Sequence, residues 1–187
     1  MTPAPKDVAE KLLAMELPRR WLHVQGVGRR AASIALLFDD PHERWLLKSS
    51  AVLHDIGYSP MIASTELHAL DGAIYLRDIG FPQRLCALVA HHSCAQFEAE
   101  LRGLAEDLSC WQDERTPVRD ALWWADMTTT PDGKVTDVHA RIHEIEERYG
   151  DEDVVTVFIR RARRELVAAV ERTEERLRMA GLSHLAK

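Results

Sequence analysis

The sequence predicts an all-α fold: a single helical bundle closed by a long C-terminal helix. Three observations predict it. Apolar residues recur at helical spacing in nearly every segment, no sustained strand-type alternation occurs, and proline and glycine fall between the periodic runs. The chain has 187 residues, 46% of them hydrophobic and 29% charged, which suits one globular domain able to bury a normal core. No internal repeat or low-complexity segment interrupts it.

The elements follow in order. Val8, Leu12, Leu13 and Leu17 mark a first helix that ends at Pro18. A second runs over about 19–38, with Val27, Ala31, Ile34 and Phe38 on one stripe, and Gly26 and Gly28 allowing close packing. After the Asp39-Asp40-Pro41 break, a third helix carries Leu47, Ser50, Ala51 and His54 on one face and stops at Gly57. Tyr58, Ser59 and Pro60 open a loop. Thr65-Glu66 begins a fourth helix that ends near Gly80, and Phe81-Pro82 starts a fifth that reaches about Ser93. Two more are expected over about 96–108 and 115–128, followed by a strong turn signal at 128–133. Helices over about 136–149 and 152–179 finish the chain; the β-prone patch Val154–Ile159 continues into a helical pattern and is read as helix. In the last helix Val155, Ile159, Ala162, Leu166, Ala169 and Thr173 form a stripe. It could serve as a homodimer seam, with packing on the chain's own core as the default.

Composition narrows the partners. Net charge is −6 with both signs interleaved, which argues against nucleic acid, since backbone binding needs a concentrated basic surface. The basic run Arg160–Arg164 reads as a solvated helix face answered by Glu165, Glu171, Glu174 and Glu175. The three cysteines, Cys86, Cys94 and Cys110, lack paired spacing, and the N-terminus lacks the apolar core of an export signal. No run of about 18 apolar residues occurs, so no membrane span is expected. These features point to a cytoplasmic protein.

The nine histidines carry the most information. His23 lies near the start of the second helix, His54-Asp55 ends the third, His68 begins the fourth, His91-His92 end the fifth, and Asp126 ends the apolar run 121–125. An ionised carboxylate following Ala51-Val52-Leu53 needs a compensating partner, and a metal ion is one. Any one of these residues alone reads as an ordinary core or surface residue. Together they place one N/O donor per successive helix, near helix ends, without thiolates. Imidazole plus carboxylate suits iron, manganese or zinc at open sites that retain water. His42, His139, His143 and His184 lie in polar surroundings and read as surface residues.

The ordered set resembles the H…HD…D signature of the HD superfamily of metal-dependent phosphohydrolases. Arg20-Trp21-Leu22-His23, with Val27 and Ala31, looks like the opening RxxHxxxVxxxA. Ala51-Val52-Leu53-His54-Asp55-Ile56-Gly57 looks like the central HDIG segment, and Ala125-Asp126 like the terminal aspartate. The motif core spans about 19–133, with a C-terminal helical extension over about 136–187. His68 with Gly72-Ala73, followed by Leu88-Val89-Ala90-His91, is similar to the two extra histidines of dinuclear members. These include bacterial diadenosine-polyphosphate hydrolases and HD-type diiron oxygenases.

The resemblance implies that His23, His54, Asp55 and Asp126 hold one divalent transition metal. Asp55 would bridge to a second, held by His68 and His91. Iron or manganese comes first, with zinc, nickel or magnesium as alternatives. The alignment favours His91 as ligand, whereas the apolar stripe Leu85, Leu88 and Val89 favours His92; His91 is taken as ligand and His92 as a catalytic group near substrate.

Where several dinuclear relatives carry lysine, this chain has Tyr58, a neutral hydrogen-bond donor. The acidic residue that guanosine-tetraphosphate hydrolases use just after the doublet is missing. Arg20, Arg77 and Arg84 are candidate phosphate clamps, and Thr130 a candidate lining residue. The expected activity is hydrolysis of a phosphoester or phosphoanhydride in a nucleotide-like small molecule, with Asp55, His92 and Tyr58 as the catalytic residues. An HD-type diiron oxygenase, and a non-enzymatic metal- or ligand-binding regulatory module, are the rival readings.

Overall fold

A computed structural model describes residues 2–186. Among the described residues ten α-helices form: α1 (Pro5–Leu13), α2 (Pro18–Ile34), α3 (Pro41–Leu53), α4 (His68–Asp78), α5 (Gln83–Ala90), α6 (Ala95–Arg102), α7 (Ala105–Ser109), α8 (Pro117–Met127), α9 (Val138–Tyr149) and α10 (Val154–Met179). Among the described residues there is no strand, only an isolated bridge between Thr129 and Val135. The fold is an all-α bundle with a long last helix, and among the described residues no helix is long and apolar enough to cross a membrane.

Helix starts follow local chemistry. Proline opens α1, α2, α3 and α8, where its missing N–H costs nothing. Asp40, Thr116, Asp137 and Asp153 cap α3, α8, α9 and α10 with a side-chain oxygen. The expected helix over 96–108 is two: Gly103, at φ 73°, ends α6 in the left-handed conformation and α7 restarts at Ala105.

At the centre, α3 packs against α1, α2, α5 and α8. Nearly every residue of α8 is buried, including Trp123 and Trp124 at 0% exposure, which is the pattern of an internal helix. α10 lies along α8 and α9. Its stripe of Ile159, Ala162, Leu166, Ala169 and Thr173 is buried in the chain's own core. Three arginines of the basic run pair with acids of other segments: Arg160 with Asp151, Arg161 with Glu100 at 2.9 Å, and Arg163 with Glu146 at 2.8 Å.

Two glycines set the geometry near the cluster. A Cβ on Gly57 would lie 1.9 Å from the His68 carbonyl oxygen, so only glycine lets the turn after α3 press against the start of α4. A Cβ on Gly26 would lie 2.5 Å from the Gly133 Cα, so α2 reaches the turn after α8 by the same means.

Candidate metal centre

The ends of five elements converge. His23 comes from the second turn of α2, His54 and Asp55 from the end of α3, His68 from the first residue of α4, His92 from the turn after α5, and Asp126 from the last turn of α8. The carboxylate of Asp55 lies between two groups of donors. Its Oδ2 is 3.4 Å from His54 Nε2 and 3.8 Å from His23 Nε2. Its Oδ1 is 3.5 Å from His68 Nε2 and 3.7 Å from His92 Nε2. Asp126 Oδ1 is 3.1 Å from His23 Nε2 and 3.8 Å from His54 Nε2. Two overlapping donor sets, His23–His54–Asp126 and His54–Asp55–His92, each have ligand atoms within 4.8 Å of one another.

Backbone carbonyls fix the imidazoles. His23 Nδ1–H donates to the Thr130 carbonyl at 3.0 Å, His54 Nδ1–H to Ala51 at 2.8 Å, and His92 Nδ1–H to Val89 at 2.7 Å. A carbonyl only accepts, so each neutral ring keeps its lone pair on Nε2, aimed at the carboxylates. His54 Nε2 is buried and has no hydrogen-bond partner. Such an orphaned lone pair among carboxylates fits a cation.

Electrostatics agree. Burial pulls the His54 imidazolium down, yet Asp55 and Asp126 outweigh it and raise its pKa to about 9. Burial pushes the Asp55 carboxyl up, but His54 and Arg20 hold it well below the usual range. Asp126 is likewise held low, chiefly by its bond from His23 and the charge of His54, against burial. Burial and neighbouring His92 keep His68 neutral, with a pKa well below its ordinary value. Positive charge is favoured between the carboxylates.

His91 does not join the cluster. Successive residues at a helix end point about 100° apart, so only one of the doublet can face inward. α5 ends at Ala90; His91 Nε2–H donates to the Trp111 carbonyl at 2.8 Å, on the far side, while His92 turns in. Arg77 pairs with Asp78 on the exposed face of α4, and Arg84 with Glu114 and Glu43, so neither reaches the centre. Thr130 serves His23 through its carbonyl, and its hydroxyl accepts the Lys134 N–H. Arg20 is in place: NH1 donates to Asp55 Oδ2 at 2.7 Å, and its guanidinium lies 3.9 Å over the Tyr58 ring. Tyr58 in turn stacks on His68 at 4.0 Å. Burial, with nearby Asp55, raises the Tyr58 phenol well above its ordinary value.

Sequence reasoning missed several residues. Ser93 Oγ donates to Asp126 Oδ2 at 2.5 Å, from a chain reversal in which Ser93 and Cys94 take φ of 47° and 63° without glycine. No turn signal marks it. Glu98, Arg141, Arg148 and Phe158 line a cleft over the cluster, and three of these lie in α9 and α10, beyond the motif core.

An all-helical protein with a buried His/Asp centre at converging helix ends is the class that fold and site define. The family model described as "HD domain" matches residues 20–121, more than half of the chain, and the chain belongs to that family. The match includes His23, His54, Asp55, His68 and His92 and stops before Asp126, which the fold brings in from the end of α8. No curated protein and no solved structure resembles the chain closely enough to count as a match.

Proposed function

We propose that the chain is a metal-dependent phosphohydrolase acting on a phosphoester or phosphoanhydride of a nucleotide-like small molecule. The observation that carries this is the placing of Asp55, with one oxygen toward His23 and His54 and the other toward His68 and His92. A carboxylate so flanked suits a bridge between two divalent ions. His23, His54, Asp55 and Asp126 would hold one, and His68, His92 and Asp55 the other, His92 taking the place first given to His91. Bound there, the ions would supply Lewis acidity toward phosphoryl oxygens and a more acidic water.

The chain's own groups then have definite tasks. Ser93 Oγ fixes Asp126, and the Thr130 carbonyl fixes the ring of His23. Arg20 steadies Asp55 and covers Tyr58. Tyr58 stays protonated and can donate a hydrogen bond to a phosphoryl oxygen without adding charge. Met127, Ile145 and Phe158 exclude water from one side of the cleft, which strengthens the polar interactions inside.

The test is a screen of the manganese- or iron-loaded protein over nucleotides, phosphomonoesters and phosphodiesters, following phosphate release. Release that disappears with a chelator and returns with metal is expected. Oxygen-dependent turnover of an organic substrate without phosphate release would contradict the hydrolytic reading.

A further inference from the structure

The outer wall of the cleft comes from α9 and α10, helices that lie beyond the matched segment. Arg141 and Arg148 are both on α9. They line the cleft and also the adjoining groove that runs past Leu17, Pro18 and Pro131. Arg141 is only 6% exposed, a rare position for a guanidinium. Its NH1 donates to Glu144, while its Nε is buried with no partner. Arg148 grips the same Glu144, through Nε at 2.8 Å and through NH2.

One carboxylate therefore serves two guanidinium groups, and a positive charge is left over beside the cleft. Arg20, the third arginine here, is already committed to Asp55. A guanidinium so buried is costly unless its charge is compensated, and an anion in the cleft would compensate the surplus of this pair. Beside the pair, Val155, Phe158 and Ile159 present apolar surface to the same space. The cleft thus joins a floor of metal-type donors, a cationic rim and an apolar wall.

We propose that Arg141 and Arg148 form an anion grip that holds a phosphate-type group of the substrate, with the substrate's apolar part against Val155, Phe158 and Ile159. This rests on the reading of the cluster as a metal centre acting on phosphoesters. Glu144 holds the two guanidinium groups side by side and competes with the incoming anion for them. The substrate is selected by α9 and α10, while the family segment and the end of α8 supply the metal ligands.

The experiment is calorimetric titration of inorganic phosphate into the metal-loaded full-length protein, with KM and kcat measured on any phosphoester that the wild type hydrolyses. Arg141→Met and Arg148→Met should each weaken phosphate binding about tenfold or more and raise KM by a similar factor, at unchanged metal content. Arg141→Lys should recover part of the loss. Glu144→Gln should tighten phosphate binding, because the competitor is gone. If the three residues merely braced the helix, Glu144→Gln would instead behave like the arginine variants, and that result overturns the grip. Arg148 is at the surface, so its variant stays informative if Arg141→Met fails to fold. Normal hydrolysis with unchanged KM and phosphate affinity in both arginine variants overturns the grip alone. A metal-loaded wild type that neither binds phosphate nor releases it overturns the phosphohydrolase reading and the grip with it.

Discussion

His23, His54 and His92 each present an Nε2 lone pair because a backbone carbonyl engages the other ring nitrogen. His91 has the reverse arrangement, donating from Nε2 to Trp111 and turning away from the carboxylates. His92→Ala should therefore cost at least half of the bound metal. His91→Ala should keep the metal but lower stability by about 1–3 kcal/mol, since it leaves the Trp111 carbonyl without its donor. Elemental analysis and denaturant melts of the two variants check this; the opposite pattern would put the ligand at His91. The histidines and aspartates were legible as candidates because they recur one donor group per successive helix near its end, with His54-Asp55 and Asp126 closing apolar runs. The His91 or His92 choice was not, since it depends on where α5 stops and how the chain reverses through Ser93 and Cys94. Nor was Ser93, whose left-handed backbone lacks the usual glycine or asparagine signal.

The join between α3 and α4 puts Asp55 against His68. Gly57 makes that contact, with no room for a methyl group between it and the His68 carbonyl. Asp71, in the first turn of α4, accepts the Ser64 and Thr65 N–H groups and the Ser64 hydroxyl, which pins the connecting loop. Gly57→Ala should destabilise the fold by about 2–3 kcal/mol and loosen metal on the His68 side. A denaturant titration with parallel metal analysis checks it, and an unchanged midpoint would show that the two segments part easily. Helix existence was readable throughout from apolar spacing. Helix ends were less so: the helix expected over about 96–108 stops at Gly103, whose positive φ marks the break. Which helices wall the cleft was beyond the sequence, because α9 reads as a polar surface helix and its buried Arg141 has no pattern of its own.

Over the whole molecule, the buried charges tie stability to pH. In metal-free protein the His54 pKa stands at about 9, above its ordinary 6.5. That contribution is complete below 6.5 and is lost as pH climbs to about 9. Asp55 and Asp126 are held below the ordinary 3.8, so their contribution is present above that value and fades as pH falls beneath it. His68, held well below its ordinary 6.5, loses its contribution as pH falls beneath that value, so the melting temperature of chelator-treated protein should be highest near pH 6.5 and decline on both sides. Thermal melts across pH check this, and a flat profile from 6.5 to 9 would contradict it. Added divalent metal should raise the melting temperature, because it binds only the folded chain. The decisive measurement is the metal content of wild-type protein and of Asp55→Ala, both purified without chelator, with helix content followed by circular dichroism. We expect about two ions per chain in the wild type, and loss of most of them in the variant at unchanged helicity. Full metal content in Asp55→Ala would contradict a centre built around that carboxylate.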